Sequence, residues 1–193
     1  MVKKEIEIQL PTKYGNFASS IYKDREGKEH ILMVHEKTKL NDAVILRIHS
    51  ECLTGDLFHS LRCDCGDQLH ESLKIIGENG GILIYLRQEG RGIGLTQKYF
   101  AYKIQDAGYD TVEANEKLGF PSDLRTFKPA AYILKDIGIN KVRILTNNPQ
   151  KIKELKDNNI EVLQRIPLLI QSNEHNDLYL NTKQEKMGHL LNV

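Results

Sequence analysis

The sequence predicts an α+β fold, a single domain of residues 1–193 with antiparallel N-terminal strands and a mixed sheet flanked by helices. Three observations predict it. Short period-two segments fill the N-terminal third, two buried apolar runs each lead into a polar or glycine-rich loop, and the later half alternates helix and strand signals.

Residues 3–10, KKEIEIQL, alternate polar and apolar, and similar runs follow at 16–22 and 30–35. Turn signals at Tyr14-Gly15-Asn16 and Glu26-Gly27-Lys28 separate them, so they read as antiparallel strands. Ala43 to Ile48 is a buried strand that delivers His49-Ser50-Glu51-Cys52 at its end. After Cys65-Gly66, the spacing of Leu69, Leu73 and Ile76 predicts a helix closed by Asn79-Gly80-Gly81. Gly81 to Leu86 is a second buried strand, followed by a glycine-rich loop from Arg87 to Gly94 and a helix running to Ala107-Gly108. A helix over 128–137, a strand over 141–146, a helix opened by Asn147-Asn148-Pro149 and a strand over 160–164 complete the pattern.

A chain of 193 residues with 40% hydrophobic and 27% charged side chains can bury about 70% of its unfolded surface, which excludes disorder. A formal net charge of +1 and the absence of Trp argue against an obligate nucleic-acid partner. No run approaches the roughly 18–20 apolar residues of a membrane span, and Val2-Lys3-Lys4 opens no apolar signal core. The expectation is a cytoplasmic protein with no membrane partner and reduced thiols.

All three cysteines, Cys52, Cys63 and Cys65, fall within fourteen residues. Three soft sulfur donors at short range are the composition that zinc prefers. A closed four-cysteine site is impossible with this count, so the fourth position is open to water, as in catalytic zinc sites, or filled by His49, His59 or His70 in a structural one. Buried reduced thiols without metal are the third alternative. Glu51 beside Cys52 suits proton transfer next to a zinc site, and His49-Ser50-Glu51 matches half of the nucleobase deaminase signature, whose Pro-Cys-x-x-Cys half is missing.

Glu89-Gly90-Arg91-Gly92-Ile93-Gly94 sits between a strand and a helix, where glycines let backbone amides approach an anion. It fits neither the Rossmann nor the Walker pattern, and a tight structural turn explains it equally well. At Thr146-Asn147-Asn148-Pro149-Gln150-Lys151, Asn148 is the expected N-cap and Pro149 the first helical residue. Lys151 in that first turn opposes the helix dipole, which makes sense beside an anion; a surface lysine is the alternative. Arg47, on an otherwise apolar strand, needs an anionic partner if buried, in a ligand or in a core ion pair.

Taken together, Arg47-Ile-His-Ser-Glu-Cys52, Leu61-Arg-Cys63-Asp-Cys65-Gly66, the segment Arg87 to Leu95 and Gly108 to Asn115 closely resemble the GTP cyclohydrolase II family. Asp123-x-Arg125, Leu145 to Pro149 and the C-terminal Lys186-Met-Gly-His-Leu-Leu191 resemble it too, so the likeness spans essentially the whole chain. The resemblance implies hydrolysis of GTP to 2,5-diamino-6-(5-phospho-D-ribosylamino)pyrimidin-4(3H)-one, formate and pyrophosphate, the first committed step of riboflavin synthesis. It implies one Zn²⁺ per chain on Cys52, Cys63 and Cys65, activating the water that attacks C8 of guanine, and Mg²⁺ with the triphosphate. It further implies a homodimer. The dihydroxybutanone phosphate synthase domain fused to some members does not appear in the sequence, from which a monofunctional enzyme is expected.

Position by position, the resemblance assigns GTP contacts to Arg47, Ile48, His49, Ser50, Glu51, Gln68, Glu89, Gly90, Arg91, Thr111, Thr146 and Lys151. Arg47, Arg91 and Lys151 suit the triphosphate, and a carboxylate such as Glu89 suits the guanine N1–H and 2-amino group. It makes Arg125 a nucleophile at the α-phosphorus, activated by Asp123; a guanidinium with a pKa above about 12 serves more simply as a charge clamp. Tyr102 matches a tyrosine near the zinc site, and some relatives lacking it stop after ring opening, so the complete reaction is expected. Alternatives are a paralogue acting on another nucleotide and a zinc-containing nucleotide-binding module without turnover.

Overall fold

The computed structural model describes residues 2–40 and 42–191, apart from the side chain of Leu178. In chain order its elements are β1 (Lys3–Thr12), β2 (Gly15–Lys23), β3 (Glu29–His35), β4 (Val44–Ser50), α1 (Leu53–Asp56), α2 (Cys65–Asn79) and β5 (Ile82–Leu86). A 3-10 turn (Glu89–Gly92) follows, then α3 (Leu95–Gln105), α4 (Thr111–Lys117), α5 (Lys128–Asp136), β6 (Lys141–Leu145), α6 (Pro149–Asp157), β7 (Glu161–Ile166) and α7 (Asp177–Glu185). Every strand and helix expected from the sequence is present to within a few residues, and the α+β mixed-sheet class is the one observed. Helices α1, α4 and α7 and the 3-10 turn are additions to it.

By its contacts the chain divides into two compact units, Met1–His49 with Leu69–Arg87 and Thr126–Leu168, and Ser50–Gln68 with Gln88–Arg125 and Leu169–Val193. The first unit is built on a seven-stranded sheet in the order β1-β2-β3-β5-β4-β6-β7. The meander β1-β2-β3 and the β3/β5 pair are antiparallel, whereas β4/β6 and β6/β7 run parallel. Parallel neighbours need crossover connections, which is why the helical signals concentrate in the later half.

Side-chain alternation divides the core between the two sheet faces. Leu46, Ile84 and Ile144 pack with Phe127, Ile133 and Leu134 at α5, while their strand neighbours Ile45, Leu83 and Leu145 pack with Ile76 of α2. Covering both faces with helices explains the near-continuous apolar runs of β4 and β5, whose residues are almost all buried. Tyr22, fully buried, donates its hydroxyl to Asp136 Oδ2 at 2.6 Å and so joins β2 to α5. Asn148 caps α6 by accepting from Gln150 N at 2.8 Å, with Pro149 at the first helical position as expected. Gly80, at φ +77°, ends α2 in the left-handed conformation that glycine adopts without strain.

The second unit is helical. Its segments carry the three cysteines, the 3-10 turn, α3, α4 and α7. Helix α4 opens with a complete capping box, in which Asp110 accepts from Val112 N and Glu113 N while Glu113 accepts from Asp110 N.

Candidate active site

The cysteine cluster is assembled by three short pieces of backbone. β4 ends at Ser50, the chain turns, and Cys52 becomes the residue before α1, its N–H donating to Asp56 Oδ2 at 3.0 Å. Cys63 and Cys65 come from the turn that opens α2. One sulfur from each lies within 4.8 Å of the other two, and Cys52 Sγ and Cys63 Sγ are 3.7 Å apart. Zinc bound tetrahedrally with Zn–S near 2.3 Å sets its sulfurs about 3.8 Å apart, so the donor set fits that ion.

Gly55 makes the close approach possible. A Cβ there would stand 3.0 Å from Cys63 Sγ, 3.1 Å from Cys65 Cβ and 3.2 Å from Cys52 Sγ. Hydrogen bonds from Cys63 and Cys65, and then the charge of Lys98, drive the Cys52 thiol far below its ordinary pKa. Cys63 is pushed up to about 12 by its hydrogen bond to Cys52, and Cys65 rises for the same reason. The metal-free cluster therefore favours a thiolate at Cys52, the form in which sulfur binds a metal.

Lys98, on α3, is a residue that the sequence did not single out. It is 8% exposed and its Nζ donates to Glu89 Oε1 at 2.9 Å, Thr54 Oγ1 at 2.9 Å and Cys52 Sγ at 3.1 Å. Burial works to lower its pKa, but Cys52, Tyr102 and Glu89 outweigh it and hold the ammonium charged. Glu89 in turn accepts from Gly90 N at 2.7 Å and Leu53 N at 2.6 Å. Three of its roughly four lone-pair sites are thus taken, which leaves at most one for a ligand. Tyr102 places its hydroxyl 3.3 Å from Thr54 Oγ1, and burial raises its pKa.

Asp123 and Arg125 form a bidentate pair, Nε to Oδ1 at 2.9 Å and Nη2 to Oδ2 at 2.6 Å, and Asp123 Oδ1 also accepts from Arg125 N. Burial favours the protonated Asp123 carboxyl, yet hydrogen bonds from Arg125 and its charge hold it below the usual carboxylate range. Leu124 N, between them, donates to Arg91 O at 3.0 Å and ties this loop to the 3-10 turn. Arg91 adopts φ +58°, in the left-handed region that non-glycine residues rarely occupy. Both terminal guanidinium nitrogens of Arg91 are buried without a hydrogen-bond acceptor among the described residues. Such an arrangement is costly unless an anion completes it.

These groups converge on one open cleft within the second unit. Of the expected residues, Ser50, Glu51, Cys52, Cys63, Cys65, Glu89, Gly90, Arg91, Tyr102, Thr111 and Arg125 line it, with Asp123 behind Arg125. Gln68 stands beside the cysteine turn and donates to Asp64 Oδ2 at 2.5 Å. Arg47, Ile48, His49, Thr146 and Lys151 belong to the first unit, and all but Ile48 are buried polar side chains there. Arg47 Nη1 donates to Leu145 O at 3.1 Å, His49 stacks on Tyr85 with centroids 5.4 Å apart, and Thr146 Oγ1 accepts from Asn148 N. Lys151, only 6% exposed, donates to Ile48 O at 2.9 Å and is no surface lysine.

Comparison with known proteins follows the same lines. The family described as GTP cyclohydrolase II matches residues 3–167. Riboflavin biosynthesis protein RibBA of Bacillus cereus (strain AH187) is 53% identical over 195 residues, covering 100% of this chain and 49% of that protein. The protein of the same name from Bacillus cytotoxicus is 53% identical over 194 residues, with the same coverage. The chain thus spans about half the length of the curated relatives it matches. A two-domain 3,4-dihydroxy-2-butanone 4-phosphate synthase from A. baumannii, RibBX, shares 16% identity at a TM-score of 0.41 over 75% of this chain and 34% of its own, too slight a likeness to bear on the fold. With the family matched across the cysteine cluster, the glycine-rich turn and the Asp123–Arg125 pair, the chain belongs to the GTP cyclohydrolase II family.

Proposed function

We propose that this chain works as one catalytic domain, residues 1–193, that hydrolyses GTP to the diaminopyrimidinone ribosylamine phosphate, formate and pyrophosphate. The observation that carries the reading is the meeting, in one cleft, of three sulfurs at metal-binding distance and the two buried terminal nitrogens of Arg91, which lack an acceptor among the described residues. The first suits an attack on the purine ring and the second a phosphate chain. The RibBA names of the relatives support a place in riboflavin synthesis.

Cys52, Cys63 and Cys65 would hold one Zn²⁺, whose chemistry when bound would be to acidify water into a nucleophile at neutral pH. Arg91 offers its two terminal nitrogens to phosphate oxygens, and Mg²⁺ accompanies the triphosphate. Arg125, charged and oriented by Asp123, clamps the phosphoryl transition state as water attacks the α-phosphorus and pyrophosphate leaves; its high pKa makes it a poor nucleophile. Glu89 fixes the Cys52 turn through Leu53 N and has one acceptor site left for the base. Tyr102 lines the cleft with a protonated phenol that can donate to the opened ring. On family resemblance alone, Arg47, Ile48, His49, Ser50, Glu51, Gln68, Gly90, Thr111, Thr146 and Lys151 complete the GTP contacts.

No helix among the described residues is long and apolar enough to cross a membrane; a cytoplasmic location is part of the proposal. Leu57, Phe58, Leu61, Tyr99 and Phe100 stand exposed in the second unit, as a homodimer contact would require. Competition between guanine and uracil triphosphates tests the substrate. Guanine nucleotides alone should suppress turnover of labelled GTP; equal suppression by UTP would place the chain among paralogues with another substrate.

A further inference from the structure

Asp64 separates the two cysteines of the α2 turn and is only 2% exposed, a place where an ionised carboxylate is costly unless paired. Its partner comes from the far end of the sequence. Lys183 of α7 donates to Asp64 Oδ1 at 2.6 Å, and Gln68 satisfies Oδ2. Three further contacts fix the same helix. Lys183 lies 4.3 Å over the Tyr179 ring, the Arg91 guanidinium lies 5.8 Å from the centroid of the same ring, and Lys186 pairs with Asp110 and Glu113 at the cap of α4. Tyr179 itself lines the cleft.

From these contacts we infer that α7 is a working part of the site, with Lys183 as a positioning residue that holds the Cys63–Cys65 turn in its metal-binding geometry through Asp64. The segment lies beyond residues 3–167, where the family match ends, and none of the residues expected to act on GTP falls in it. The inference deepens the proposed function and rests on it for the identity of the metal. Physically, the turn carries two of the three sulfurs, and Lys183 sets an ammonium directly against the buried carboxylate between them. Outer groups that orient metal ligands commonly change metal affinity by about 10- to 100-fold when removed.

The test compares wild-type full-length protein with Lys183→Ala, Lys183→Arg and Asp64→Asn, using zinc retention against a chelator and hydrogen exchange of the metal-free protein. Asp64→Asn keeps the side-chain shape but leaves the Lys183 ammonium without its carboxylate, so Lys183→Arg, which keeps the pair, guards against a variant that fails to fold. Lys183→Ala and Asp64→Asn should lose zinc about 10-fold more readily. Amides of both α7 and residues 60–66 should exchange faster in those two variants, and Lys183→Arg should restore both readouts. Loosening of α7 alone, with wild-type zinc retention and an unchanged turn, would overturn the inference and leave the helix a structural appendage. Failure of the wild type to hold zinc would sink the proposed metal instead, and the coupled exchange of the two segments would still decide the role of Lys183.

Discussion

Lys98 and Glu89 form an ion pair at 2.9 Å in which both side chains are about nine-tenths buried. The same ammonium reaches Cys52 Sγ, and the same carboxylate holds Leu53 N, so one pair braces both sides of the Cys52 turn. Neither contact involves a group on the surface, and each depends on the other for its charge balance.

Lys98→Ala should therefore do more than remove a cation. It leaves Glu89 buried without its countercharge, for which a cost of about 3–5 kcal/mol is typical. Turnover should fall at least about 100-fold, given what misplacing catalytic groups by an ångström costs, and the melting temperature should drop. Lys98→Arg should recover part of the stability. Calorimetry and steady-state kinetics on both variants check this.

Gly55→Ala adds one methyl where three atoms of the cysteine cluster already crowd within 3.2 Å. The sulfurs must spread, so zinc affinity should fall about 10-fold or more, with a stability loss of about 1–3 kcal/mol from overpacking. Chelator competition reads the first and urea unfolding the second. Unaltered affinity would mean that the cluster has slack the contacts do not reveal.

Asp123→Asn breaks the charged half of the pair that orients Arg125. Arg125 is assigned to the transition state and not to substrate binding, so kcat should fall about 10²- to 10³-fold while KM changes little. Asp123→Glu should restore less than a tenth of the activity, because the longer arm misplaces the fork.

Acid should weaken the sheet unit through His30. Burial lowers its pKa below 6.5, with Asp24 opposing in part, and both ring nitrogens are engaged, Nε2 with Asp24 Oδ2 and Nδ1 accepting from Arg87 N. Because the unfolded chain binds this proton more readily, the stabilisation is present above about pH 6.5 and is lost as the pH falls through the lower folded value. Urea midpoints measured between about pH 5 and 8 keep carboxylate titration out of view. The wild type should lose stability toward pH 5, and His30→Gln should flatten that slope.

Much of the fold was legible because the sheet obeys simple periodicity. The alternating run at 3–10, the apolar run at 43–48 and the Asn148-Pro149 start signal each found their element. Helix α4 was also legible in principle, since Asp110 and Glu113 have capping-box spacing. Helix α7 carries little apolar periodicity, and its place is set by Lys183 and Lys186 finding acids more than 70 residues away. Within the site, the cysteines and the glycine-rich turn announce their chemistry by spacing. Lys98, Asp64 and Tyr179 do not, because a lysine in a helix, an acid between two cysteines and a tyrosine near the C terminus look like solvated residues until tertiary packing buries them.

The most direct test of the account is to incubate zinc-loaded protein with GTP and Mg²⁺ and quantify formate and pyrophosphate together, with Cys63→Ser alongside. The account predicts equal release of both products by the wild type and loss of formate in the variant. Pyrophosphate without formate from the wild type, or neither product, would contradict it.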